Sequence, residues 1–107
     1  MYSTELEELA GKIVTVKTIT GEEIIAKLAS VDTDNGFITL QNPQSVLING
    51  GEVIIAPVCF SAQCEMVTVR LSSTLFVTKT LKESANDYLE ILEDRKEPQI
   101  VDELPDK

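Results

Sequence analysis

From residue 13 to about residue 77 the chain alternates apolar and polar positions with the period of a β-strand, and on either side of that stretch the period is helical. Ile13, Val14 and Val16, beside Thr15 and Lys17, predict a first strand that stops at the turn Thr20-Gly21-Glu22. Ile24, Ala26 and Leu28 alternate with Ile25, Lys27 and Ala29 toward Val31, a second and longer strand. Asp34-Asn35-Gly36 then supplies the residues of a tight hairpin. A third strand begins at Phe37, is interrupted at Asn42-Pro43 because proline has no N–H to give a ladder, and resumes at Ser45 to Ile48. Asn49-Gly50-Gly51 is the second hairpin signal, and a fourth strand is expected from Glu52 to Phe60, with Pro57 as a bend. After an irregular stretch, Met66 to Leu71 and Leu75 to Val77 are further strand segments, separated by Ser72-Ser73.

The flanks read as helices. In the first ten residues Thr4 and Glu7 have the spacing of a capping box, in which each side chain satisfies the other's backbone N–H. Leu6, Leu9 and Ala10 give that helix one apolar edge and Gly11 ends it. At the other end Leu81, Ala85, Tyr88, Leu89 and Leu92 recur at three- and four-residue steps, one stripe on a helix over residues 81–95 that needs a surface to pack on. Residues 96–107 are short, acidic and broken by Pro98 and Pro105, and are expected to form a flexible tail.

The chain's 107 residues fit a single core, since domains usually contain about 100 to 150. Residues 1–95 are therefore read as one domain. No apolar run approaches the roughly 18 residues of a membrane helix. The first residues also lack the basic and apolar regions of a signal peptide, so a cytoplasmic protein with no membrane partner is expected. The formal charge of −9 changes meaning once it is located. Residues 10–82 hold six acids and six bases, and the excess lies wholly in the two ends. Acidity thus describes the appendages, and a neutral strand region does not exclude an anionic ligand.

Chemistry is sparse. There is no histidine to act as general base or to complete a zinc site with Cys59 and Cys64, and neither Ser61 nor Cys59 has a sequence neighbour that would activate it. The two cysteines are expected to be reduced thiols in a half-buried segment. Asp32 to Gly36 superficially has calcium-loop composition, but its glycine falls one place early and the closing Glu is missing, so it reads as a hairpin. An enzyme is not expected, and no cofactor or metal is implied.

Several of these residues, in order, carry a family likeness. Leu9 through Gly11-Lys12-Ile13-Val14-Thr15-Val16, Gly21-Glu22-Glu23, Lys27-Leu28 and Asp32 resemble the first Sm motif. Leu40-Gln41-Asn42-Pro43 with Val46 is similar to that family's third strand, and Val69-Arg70 stands where the second motif has Ile-Arg-Gly. The match covers about residues 6–80. It implies a mainly β fold: a five-stranded, strongly bent antiparallel Sm-like (SH3-like) barrel with a short N-terminal helix and a C-terminal helix. The closing helix, with Ser84-Ala85-Asn86-Asp87-Tyr88-Leu89, more closely resembles the Sm-like proteins of marine tailed phages and their hosts.

The resemblance also implies partners. In the RNA-binding members bases sit between a loop near the aspartate and the Arg-Gly turn, which here designates Asp32, Asn35, Gly36 and Arg70 for single-stranded RNA. The family's Asn falls at Asn35 or at Gly36 depending on a one-residue offset, and Leu71 replaces the glycine after Arg70. Subunits of the family pair fourth strand to fifth, so Val53, Ile54, Ile55 and Val58 are expected to meet Leu75, Phe76 and Val77 of a neighbour. The run from Val53 to Val58 is apolar on both faces, more than one small barrel needs. Such head-to-tail pairing closes into a cyclic homo-oligomer, expected by analogy to contain about five to seven subunits. The alternative is a structural or protein-interaction ring that binds no nucleic acid and contacts partners through its acidic C-terminal helix.

Overall fold

The computed structural model describes residues 3–59, 61–62 and 64–94. The capping-box side chain of Thr4 and the acidic tail lie outside the described residues. Helix α1 (Ser3–Glu8) leads into strands β1 (Ile13–Thr18), β2 (Glu23–Asp32), β3 (Phe37–Asn49), β4 (Glu52–Pro57), β5 (Met66–Arg70) and β6 (Thr74–Lys79), and helix α2 (Lys82–Asp94) follows. All pairings are antiparallel. The strands run in the order β4-β3-β2-β1-β6, with β5 also on β3.

The described residues form six strands where five were expected, and the long β3 explains the difference. Its first half pairs with β5, from Phe37 opposite Arg70 to Gln41 opposite Met66. Its second half pairs with β4, from Gln44 opposite Pro57 to Asn49 opposite Glu52. β4 and β5 are thus two pieces of one ladder, interrupted by residues 58–65. Pro57 cannot donate onward, so the fourth strand stops there, short of Val58 and Cys59, and Phe60 lies outside the described residues. On β3 the matching irregularity is Asn42, whose φ of 53° is left-handed and whose N–H donates to the Glu65 carbonyl at 2.7 Å. At the far end, Gly50 and Gly51 both have positive φ, which a two-residue hairpin turn requires.

Strand alternation sorts the apolar residues onto two faces. One face forms the main core: Val14 and Val16 of β1, Ala26 and Leu28 of β2, and Ile38 and Leu40 of β3, closed at one end by Leu6 of α1. The other face buries Ile25 beneath α2. A β-bulge between Ile25 and Lys27 accompanies the burial of the adjacent residues Ile25 and Ala26. The helical stripe is only half used. Tyr88 is 1% exposed, whereas Leu81 is 77% and Leu89 49% exposed.

Tyr88 secures the bend. Its hydroxyl donates toward the carbonyls of Gln41 (3.1 Å) and Asn42 (2.9 Å), where β3 passes from one ladder to the other. Burial pushes its phenol up to about 12.

Candidate functional site

The β2–β3 hairpin and the end of β5 meet at the Asp32 loop. Asp32 closes β2, and its carboxylate accepts from the Asn35 backbone N–H (3.1 Å) and from the Asn35 side-chain amide (2.9 Å). Gly36 N–H donates to the Asp32 carbonyl at 2.9 Å, and the Gly36 φ of 78° returns the chain into β3. The Gly36 carbonyl in turn accepts from Leu71 N–H at 2.8 Å, and Phe37 lies opposite Arg70 in register. Asp32, Asn35, Gly36 and Arg70 are therefore one cluster, although some 34 residues separate Gly36 from Arg70 in sequence.

The electrostatics of the cluster divide it. The two Asn35 contacts, side chain first, hold the Asp32 carboxyl below its ordinary range, so it is a turn-closing anion. The Asn35 amide is committed to that carboxylate. Arg70 is exposed, and among the described residues it forms no salt bridge. Phe37 is half-buried, not in the core cluster. A single exposed guanidinium beside a rigid loop can bind a phosphate or stack on a planar base.

The residues expected at a subunit interface fall on the two ends of the sheet. β4 is bonded only to β3 and β6 only to β1 among the described strands, so each leaves an edge open. On β6, Leu75 is 62% and Phe76 51% exposed, while Val77 packs against the core. On β4, alternation turns Val53 and Ile55 toward α2 and Ile54 to the opposite face. Val58 is half-buried just beyond the strand's end. A cavity of about 310 Å³ lies between α1 and β6, lined by Leu6, Leu9, Leu71, Leu75 and Phe76 among others.

Cys59 is exposed and Cys64 half-buried, both as free thiols in the interruption between β4 and β5. The exposure of Cys59 departs from the expectation of a half-buried pair. A hydrogen bond to Cys59, and then burial, raise the Cys64 thiol, which disfavours its thiolate. No helix among the described residues is long and apolar enough to cross a membrane.

Solved structures share this arrangement. The SmAP1 heptamer of P. aerophilum matches 74% of this chain and 92% of its own at 24% identity, with a TM-score of 0.53. The chain has the Sm-like fold. A heptameric archaeal Sm protein matches this Sm-like chain over 73% of its length and 98% of the other, at 24% identity and a TM-score of 0.52. The Sm-like protein AF-Sm2 from Archaeoglobus fulgidus matches over 75% and 95%, at 17% identity and 0.55. No protein-family model matches the sequence, and a search of curated proteins finds no match.

Sequence reasoning missed two features of this Sm-like chain. The Tyr88 hydroxyl bonds to main-chain carbonyls, which have no residue signature; its one legible sign was a tyrosine on an apolar helix stripe. The groove beneath α2 arises because the helix covers only part of the sheet, and periodicity does not report that.

Proposed function

We propose that this Sm-like chain works as a cyclic homo-oligomer of about five to seven subunits, joined by β4 of one subunit to β6 of the next, and that the ring binds single-stranded RNA at Asp32, Asn35, Gly36 and Arg70. The observation that carries the ring is the pair of open sheet edges with large apolar side chains at both, Ile54 on one and Leu75 and Phe76 on the other. Unpaired edges of that composition are templates for another chain. Two of the structurally similar proteins are heptamers, which supports the same use of the edges here.

RNA enters through Arg70. Repetition around a ring turns one exposed guanidinium per subunit into a circle of cationic sites, beside loops whose shape the Asp32–Asn35 bonds hold. Stacking on Arg and attraction for phosphate are the two elements of single-strand recognition that this site offers. Titration of a labelled oligo-U into the protein at low and moderate salt tests this. The reading predicts binding that weakens with salt and is lost in Arg70→Ala, with the assembly mass unchanged. No binding at low salt, or binding indifferent to Arg70, contradicts it.

A further inference from the structure

A groove of about 790 Å³ separates α2 from the sheet, on the face away from the main core. Its floor is apolar on the β3–β4 side, where Val46 of β3 lies opposite Ile55 of β4 with Val53 beside them, and polar toward β1 and β6, where Thr15 and Thr78 line it. Val53 remains 64% exposed and Leu81, at the entrance to α2, 77% exposed, so this apolar surface is uncovered among the described residues. The helix side of the groove is acidic, with Glu83, Asp87 and Glu90 along one wall. Among the described residues Lys79 is the one cation lining it, and Glu23 across the floor already pairs with Lys17 at 3.8 Å. An apolar floor beneath an anionic wall selects ligands that are both greasy and cationic.

We infer that this groove is a docking site for a cationic amphipathic peptide segment of a partner protein, its apolar side chains on Val46, Val53 and Ile55 and its Lys or Arg side chains against Glu83, Asp87 and Glu90. Charge complementarity chooses this occupant over the others at hand. Nucleic acid would bring phosphates against three carboxylates. The chain's own end, residues 95–107, sets Glu97, Asp102, Glu103 and Asp106 against Arg95, Lys96 and Lys107, so it is net negative and gains no net attraction from the wall. A second copy presenting the same acidic groove face to face is repelled likewise. The site is independent of the ring and of RNA: pairing at the β4 edge uses main-chain groups in the plane of the sheet, whereas Val53 and Ile55 project out of it toward α2.

The test uses the full-length protein and a fluorescein-labelled peptide of about twelve residues alternating Leu and Lys, with a Leu-Glu peptide as counterpart. Anisotropy titrations compare wild type with two double variants that change the net charge equally, Asp87→Lys/Glu90→Lys on the groove wall and Glu7→Lys/Glu8→Lys on α1. The Leu-Lys peptide is expected to bind wild type and the α1 variant within about twofold of each other, and the groove variant at least about tenfold more weakly. Val53→Ser, at an exposed floor position that folding tolerates, is expected to weaken binding by about threefold or more through lost apolar contact. Equal losses in the groove and α1 variants would reduce the effect to net charge and overturn the assignment. Preference for the Leu-Glu peptide, or oligo-U binding sensitive to Asp87 and Glu90, does the same. The titration is repeated on Leu75→Asp/Phe76→Asp, where peptide binding is expected to persist; failure of the ring reading therefore leaves this result untouched. Residual dimerisation of that variant, abolished by Asp87→Lys/Glu90→Lys, would assign the groove to a second copy and refute the proposal.

Discussion

Replacing Tyr88 by phenylalanine removes one oxygen from a residue whose ring is otherwise enclosed, and the consequences can be worked through. The hydroxyl serves the Gln41 and Asn42 carbonyls at 3.1 and 2.9 Å, at the point where β3 changes partners. With the side chain 1% exposed, water does not readily take its place. The net bond is worth about 0.5 to 1.5 kcal/mol, and a buried acceptor left unpaired costs about 1 to 3. One of the two carbonyls can relax toward solvent, so about 2 kcal/mol is expected. For a urea slope of about 1 to 1.5 kcal/mol/M, the unfolding midpoint of Tyr88→Phe falls by more than about 1 M at matched protein concentration.

The alkaline limb supplies a second reading of the same contact. Burial raises the phenol from 10.0 to about 12. Its neutral form is therefore favoured in the folded state. That contribution is fully present below pH 10.0 and is lost as pH climbs toward about 12, because the unfolded chain ionises first. Wild type should lose stability across that window more steeply than Tyr88→Phe. A midpoint shift under about 0.3 M, together with parallel alkaline limbs, would refute the view that Tyr88 holds the bend.

Asn42 sits at φ 53°, so Asn42→Gly should be neutral or stabilising by up to about 1 kcal/mol, and Asn42→Val destabilising by about 1 to 2, as measured by thermal unfolding. The Asp32 carboxyl, lowered chiefly by the Asn35 amide, adds stability that is present above the ordinary carboxyl value of 3.8 and lost as pH falls through the lowered value. Asn35→Ala should flatten the acid limb of the stability profile below about pH 4, and an unchanged limb would contradict that role. In Gly36→Ala the φ of 78° is retained at a strain of about 1 kcal/mol, so denaturant unfolding should show that loss while the strand content in far-UV spectra stays the same.

The local elements were legible because their causes are local. Val14 and Val16 alternate with Thr15 and Lys17, and Gly36 and Gly50-Gly51 mark turns that need positive φ. The end of β4 was not legible, since Val53 to Phe60 is one apolar run and pairing stops according to what lies opposite on β3. Leu81, just before α2, and Leu89 within it share the helical period of Tyr88, yet of the three only Tyr88 is buried. The convergence of Asp32, Asn35, Gly36 and Arg70 followed from family likeness, and the ladder between β3 and β5 supplies its physical reason. Periodicity alone could not have joined a loop to a strand end so distant in sequence.

The central claim is that two open edges close a ring, and native mass spectrometry of wild type beside Leu75→Asp/Phe76→Asp tests it most directly. Burying each large apolar side chain contributes about 1.5 to 3 kcal/mol, so the double variant should weaken every contact by about a hundredfold or more. The account predicts a single cyclic species of about five to seven subunits for wild type and a folded monomer for the variant at micromolar concentration. A wild-type monomer, or a variant that keeps the wild-type mass, contradicts it.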